Sequence, residues 1–470
     1  MARNGGAGVA TVEAVASEPA IGPYLRLWRL AWPVSVSTST VTLLTLVNLF
    51  WIGHLGTVAV AAVSVCGQIL FIVFSISTIV HTGALAIVAR RVGEGDRARA
   101  FTASIHGICL GALLGLAVLV AGHASAAAVI GFFDTDPRVS ALAISYLRIM
   151  YWGQLPLFIS VALGACYQAS GDTRTPMLVN VAVVVLNGLA DPFFIFPPDG
   201  IRIAGFPVGW LGWGADGAAI AASLSGALGC VLFVTVSLLS GRPFAWPTHG
   251  KVTLSVQHFW QMLRIGTPAS VSMVARPLST FLLLKVIASF GTPAIAAFGI
   301  AMRSFSVNWI PYSGLNVAVS SLVGRSLGAQ RVADARRVVR QGLVVTTLLG
   351  MMFCVLYYVG ARSIILAFDS EPAVVEAGEW FLKLIALSFL FSGPMLPLGS
   401  AMNGAGDTKP PMIAAFIANW VVKLPLCWAL ALPFGYGIEG VWIGMFVSIV
   451  FESVVMFIWY RRETWLTKTV

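Results

Sequence analysis

The sequence predicts an all-α integral membrane protein, with twelve transmembrane helices in two six-helix lobes related by a pseudo-two-fold axis along the membrane normal. Three observations predict it: long runs without charge, one-sided placement of Lys and Arg, and an internal repeat at a fixed offset. Of the 470 residues, 58% are hydrophobic and 10% charged, where a soluble domain carries about 25% charged residues. Residues 105–130, 220–241 and 341–361 hold no Asp, Glu, Lys or Arg. Each run is at least as long as the roughly 20 residues that span a bilayer core.

Taken in chain order, residues 1–22 are small and polar, without the apolar stretch of a signal peptide, and read as a disordered cytoplasmic tail. The helical candidates are 26–52, 57–88, 100–123, 138–164, 175–197 and 213–239, then 258–288, 293–321, 338–360, 373–400, 410–432 and 437–460. The corresponding division is an N-terminal lobe over 23–240, a cytoplasmic linker over 241–257, a C-terminal lobe over 258–461 and a cytoplasmic tail over 462–470.

Orientation follows from the cations. With the N-terminus inside, twenty Lys and Arg fall on inner segments and three, Arg138, Arg202 and Arg362, on outer ones. That is the positive-inside pattern of a multi-pass protein in a bacterial plasma membrane, with both termini cytoplasmic. The net charge of +10 sits in short clusters between apolar runs, which argues against nucleic acid as a partner. The six cysteines lie in apolar runs without CxxC spacing, and the six histidines are scattered. Neither pattern points to a disulfide, a metal or a cofactor.

The repeat has an offset of 235 residues. Arg29, Pro33, Ser35 and Ser37 match Arg264, Pro268, Ser270 and Ser272. Gly56-Thr57 matches Gly291-Thr292, and Arg90 with Gly93 matches Arg325 with Gly328. Phe133-Asp134-Thr135-Asp136-Pro137 matches Phe368-Asp369-Ser370-Glu371-Pro372, and Gly171-Asp172-Thr173-Arg174 matches Gly406-Asp407-Thr408-Lys409. Six helices per unit leave both units running the same way, as in transporters whose parallel halves rock to give alternating access.

The doubled Gly-Asp-Thr-Arg/Lys-X-Pro-Met segment resembles the hallmark of the multidrug and toxic compound extrusion (MATE) family. So do Trp51-Ile52-Gly53-His54-Leu55-Gly56 and Leu322-Val323-Gly324-Arg325-Ser326-Leu327-Gly328-Ala329. The resemblance covers about residues 24–460 and implies export of amphipathic organic compounds driven by inward flow of protons or sodium ions. Asn187-Gly188-Leu189-Ala190-Asp191-Pro192 is similar to the N-x-x-x-D-P of the DinF-like branch, in which the Asn and Asp take part in ion coupling. Asn419 with Lys423 and Pro425 looks like that branch's basic counterpart in the second lobe. The chain departs from the family at two places. Asn48 stands where many relatives carry an Asp, and Arg276 where the NorM-like branch carries a Glu. The helix 1 to helix 5 carboxylate pair and a NorM-type sodium site are therefore not expected.

Ionisable groups at membrane depth mark functional candidates. The acids are Asp191 and Glu452. Asp191, with Asn187 one turn before it, Asn180 one heptad earlier and Asn48 at similar depth, forms the candidate ion-coupling set, with H+ preferred over Na+. Glu452 reads more readily as a group that packs near the interface or pairs with a neighbouring cation. Arg276, Lys285, Arg303, Asn419 and Lys423 form the candidate substrate cavity, and cations facing it would repel cationic drugs there, which leaves either anionic or zwitterionic substrates or binding confined to the first lobe. Pro33 and Pro268 remove a helical hydrogen bond at equivalent sites and read as a hinge pair. The function expected is a secondary active exporter, an antiporter of amphipathic compounds or drugs, acting as a monomer in the bilayer. The alternative is a lipid-linked precursor flippase. An intramembrane enzyme would need clustered nucleophiles at membrane depth and a channel would need repeated polar rings, and the sequence offers neither.

Overall fold

Alanine, leucine and valine dominate the apolar runs, and in lipid their backbone groups must bond within the segment, so the runs form helices. The structure, a computed structural model, describes residues 22–133, 136–198, 202–203, 206–207, 209–240 and 253–468. Most of the predicted tail over 1–22 and linker over 241–257 lies outside the described residues, as do Asp134 and Thr135 of the repeat. The first lobe comprises α1 (Pro23–Gly53), α2 (Thr57–Gly93), α3 (Arg97–Gly131), α4 (Pro137–Trp152), α5 (Gln154–Ser170), α6 (Arg174–Ile195) and α7 (Gly214–Ser240). The second comprises α8 (Val256–Ala288), α9 (Thr292–Gly328), α10 (Val332–Leu366), α11 (Pro372–Gly404), α12 (Lys409–Phe416), α13 (Leu424–Ala431) and α14 (Gly437–Arg461). A π-helical segment, Ile417–Lys423, joins α12 to α13.

Among the described residues, ten helical stretches are long and apolar enough to cross a membrane, and the bent pair α4–α5 makes eleven. The twelfth span is α9, a 37-residue helix that carries Arg303, Asn308, Pro311 and Asn316 along its length. Two predicted spans are not the straight helices expected. The span over 138–164 is α4 and α5, bent by 43° about Gly153. The span over 410–432 contains the π segment. Several helices also outrun their predicted ends, α3 reaching Gly131 and α10 running from Val332 to Leu366, because the hydrogen-bond ladder does not stop where the apolar run does. The loop that lengthens the first repeat holds a two-residue antiparallel hairpin, β1 (Arg202–Ile203) with β2 (Phe206–Pro207).

The Gly-Asp-Thr motif is a helix stop followed by a helix start. Gly171 and Gly406 adopt φ of +91° and +81°, the left-handed region that Gly enters without a Cβ penalty. Asp172 then caps α6. Its Oδ1 accepts from the N–H groups of Arg174 and Thr175 at 3.1 and 3.0 Å, and its Oδ2 from Thr175 Oγ1 at 2.8 Å.

The two lobes meet through contacts that are themselves repeated at the 235-residue offset. A Cβ on Gly314 of α9 would meet the Ala31 carbonyl of α1, and one on Gly266 of α8 would meet the Ile79 carbonyl of α2. Thr38 Oγ1 and Ser313 Oγ lie 2.9 Å apart, and at the equivalent place Thr78 Oγ1 donates to Met273 Sδ at 3.1 Å. Gly93 abuts the Arg325 carbonyl, and Gly328 abuts the Arg90 carbonyl. Residue i touching j′ while i′ touches j is the signature of a two-fold operator. Since both units run the same way, the axis lies along the membrane normal. These contacts fall at 31–38 on α1, 78–93 on α2, 266–273 on α8 and 313–328 on α9. All four stretches belong to the halves that end among the inner Lys and Arg clusters. These contacts between the lobes therefore fall toward the basic end. A lateral groove of about 480 Å³, lined by Trp28, Trp32, Val36, Ile310 and Pro311, runs beside the seam between α1 and α9.

Residues after α14 also bridge the lobes at the basic end. Trp465 is fully buried in a cluster that includes Leu27, Leu30 and Ala31 of α1 and Leu315 and Leu322 of α9. Lys468 Nζ pairs with Asp407 at 3.3 Å, and its carbonyl accepts from Arg90 Nη1 of the first lobe at 2.5 Å.

Candidate functional site

In the first lobe the polar side chains converge on one carboxylate. Asn187 and Asp191 are one turn apart on α6 and share a face. Both are buried, at 1% and 0% exposure. Asn187 Nδ2 donates to Asp191 Oδ1 at 3.2 Å. Asn48 of α1, its amide oriented by the surrounding network, donates to Asp191 Oδ2 at 2.5 Å and to the Leu44 carbonyl at 3.2 Å. Each carboxylate oxygen thus has one amide donor, and among the described residues no cationic side chain pairs with it. Pro192 lacks the N–H that would bond the Gly188 carbonyl, so the backbone beside the acid is left with a spare acceptor. Asn180 does not join this set. It donates to Ser37 Oγ of α1 at 2.6 Å, and at 1.5 Å per residue it lies roughly 16 Å back along α6.

In the second lobe α8, the π segment and α14 bring together Arg276, Thr280, Asn419, Lys423 and Glu452. Lys423 Nζ donates to Asn419 Oδ1 at 2.9 Å and to Thr280 Oγ1 at 3.0 Å. Arg276 Nη2 donates to Glu452 Oε1, and Trp420 Nε1 donates to the Ala275 carbonyl at 3.2 Å. Lys423 and Glu452 are buried, while the Arg276 side chain is 41% exposed. A π-helix adds a residue to the turn, which sets Asn419 and Lys423 side by side. Lys285 and Arg303 do not join the cluster. Both are exposed, Lys285 in the last turn of α8 and Arg303 on α9. Thr280, Trp420 and the pairing of Glu452 with Arg276 are the members sequence reading missed or left undefined. The signal available was the i, i+4 step from Arg276 to Thr280.

Pro33 and Pro268 sit inside unbroken helices, within the stretches of α1 and α8 that make the seam. Each lacks the N–H that would bond the carbonyl four residues back.

Comparison with known proteins supplies independent matches. A family model described as MatE matches residues 33–193 and 268–429, two stretches that begin at the paired prolines. The probable multidrug resistance protein NorM of Thermotoga maritima is 25% identical over 445 residues, covering 95% of this chain and 94% of its own. The probable multidrug resistance protein YoeA of Bacillus subtilis is 23% identical, covering 97% and 96%. Among solved structures, a mutant of the Vibrio cholerae MATE transporter VcmN superposes with a TM-score of 0.85 at 22% identity, over 95% of this chain and 99% of that one. A MOP superfamily transporter from Pyrococcus furiosus, for which reverse polarity of the binding pocket suggests a different function, superposes with a TM-score of 0.86 at 22% identity, over 99% and 100%.

Proposed function

The chain belongs to the MatE family, and we propose that it is a secondary active exporter of amphipathic organic compounds that couples export to inward proton movement. The reading places both termini in the cytoplasm of a bacterial cell and the open end of the cleft outside, and it takes the monomer as the working unit. Relatives named as probable multidrug resistance proteins support the substrate class. The two-fold seam supports alternating access, because the contacts repeated across it are close approaches of small residues and single hydrogen bonds, which a rocking motion can exchange for an equivalent set at the other end.

Asp191 carries the coupling part of this reading. Its charge is balanced only by two neutral amides, in a place where ionised groups are costly. A proton neutralises it without requiring other ligands. A sodium ion would need several oxygen donors, whereas Asn187 presents its N–H to the carboxylate. Coupling then consists of Asp191 taking a proton from the outer side and releasing it inward, with the seam closed in one state and open in the other. Pro33 and Pro268 serve as the bending points, since they lie where the seam must part. On this reading the Asn187–Asp191–Pro192 segment is the counterpart of the N-x-x-x-D-P of the DinF-like branch.

The test is transport in proteoliposomes loaded with ethidium or dansylglycine, under separately imposed pH and Na+ gradients. Acid on the side to which the cleft opens is expected to drive dye out, and a Na+ gradient of equal size is expected not to. Export driven by Na+ alone, or by neither gradient, contradicts the proposal.

A further inference from the structure

The two lobes bury opposite charges on equivalent helices, three residues out of register, since the repeat offset pairs Asp191 with Leu426. On the repeat offset, the residue equivalent to Asn187 is Val422, and Lys423 stands next to it, turned by the π segment. The first lobe therefore buries one acid beside amides, and the second buries a lysine beside an amide and a hydroxyl. The donors of the second cluster are not used up. Lys423 has three N–H groups and gives two of them to neutral oxygens. Arg276 has five and gives one to Glu452. Two cations share one carboxylate, which leaves one positive charge uncompensated among the described residues, at a depth where charges are normally paired.

The cluster also lies on the side of α8 that continues from the seam. The face of α8 that packs on α2 carries Gly266, Ser270 and Met273. Seven residues beyond Met273 on the same face is Thr280, the residue that receives Lys423 Nζ. It lies two turns past Met273, the outermost of these α8 contacts.

We infer that Lys423 and Arg276 form a binding site for the anionic group of an amphipathic molecule: a carboxylate, a sulfonate or a phosphate. The site deepens the exporter reading and rests on it for its role in transport. Lys423 supplies its free N–H and its charge from the closed side, and the exposed Arg276 guanidinium approaches from the open side. Glu452 holds the guanidinium in place and competes with the incoming anion for it. The same anionic chemistry is found on soluble amphiphiles and on lipid headgroups.

The test uses the full chain in phosphatidylcholine nanodiscs and two dyes with one ring system, dansylglycine, which bears a carboxylate, and dansyl ethylenediamine, which bears an ammonium. Binding is followed by fluorescence titration. Lys423→Gln is expected to weaken dansylglycine binding about tenfold or more, the scale of a charge-assisted hydrogen bond, and to leave the ammonium dye within about twofold. Lys423→Arg restores binding. Glu452→Gln strengthens dansylglycine binding, whereas a purely structural role for the cluster would weaken it, so this variant decides the matter if Lys423→Gln fails to fold. Equal dansylglycine binding by wild type and Lys423→Gln, or equal weakening of both dyes, overturns the site. Repeating the titration with phosphatidylglycerol in the bilayer separates the sources. Competition by the lipid assigns the site to a headgroup, and its absence assigns the site to a soluble amphiphile. Binding that depends on Lys423 without gradient-driven movement of the dye keeps the site and removes the exporter reading. Movement of the dye with binding indifferent to Lys423 does the reverse.

Discussion

Gly328→Val is expected to force the lobes apart at the end where they now meet. A Cβ at Gly328 would meet the Arg90 carbonyl, and the equivalent Gly93 faces the Arg325 carbonyl in the same way. Overpacking of this kind costs roughly 1–3 kcal/mol, and a backbone carbonyl cannot rotate aside as a side chain can. At 1.4 kcal/mol per factor of ten, the closed-seam population falls by about five- to a hundredfold. The check is the labelling rate, by a membrane-impermeant maleimide, of a cysteine placed at the buried Ala89 in a chain lacking its six native cysteines. Labelling in Gly328→Val is expected to be faster than in the parent by a comparable factor. Gly299→Val is the control, because nothing lies within 4 Å of its added Cβ, and its labelling is expected to match the parent. Equal labelling of all three proteins would mean that the seam is not a gate.

Asp191→Asn is expected to export dye no faster with a pH gradient than without one. The substitution keeps the shape of the side chain and removes the only group in the first-lobe cluster that can exchange a proton. Because it also removes a buried charge that has no cationic partner, the variant is expected to fold and to melt at or above the parent temperature. That separates loss of coupling from loss of structure. Asp191→Glu retains the acid on a longer arm and is expected to keep part of the response. If Asp191→Asn follows the gradient as the parent does, the proton enters elsewhere.

Much of the architecture was legible because it depends on periodic, local signals. The apolar runs give the spans, and the 235-residue offset gives the two-fold relation. The offset holds down to individual contacts, since Thr38 with Ser313 and Met273 with Thr78 are the same contact seen from either lobe. Features that interrupt a helix without changing its composition were not legible. The bend of α4–α5 at Gly153 falls inside what the hydropathy reads as one span, and the extra residue of the π segment has no marker in Ile417-Ala418-Asn419-Trp420. The first-lobe cluster follows from i, i+4 spacing plus depth, except that Asn180, on the same heptad line, is drawn off by Ser37. The second-lobe cluster depends on Arg276 meeting Glu452 across 176 residues, a distance no local pattern reports. Depth alone grouped Lys285 and Arg303 with it, and the helix faces they occupy separate them.

The most direct test of the account is a pair of distances measured by electron–electron resonance in nanodiscs as pH is varied. One spin-label pair spans the basic end at Ala98 and Ala333, and the other spans the open end at Val58 and Ile295, all four positions being exposed. The account predicts that the two distances change in opposite directions with pH, the basic-end pair lengthening as the open-end pair shortens, and that Asp191→Asn abolishes the pH response. Distances that stay constant, or that lengthen and shorten together, would contradict a rocking pair of lobes governed by that carboxylate.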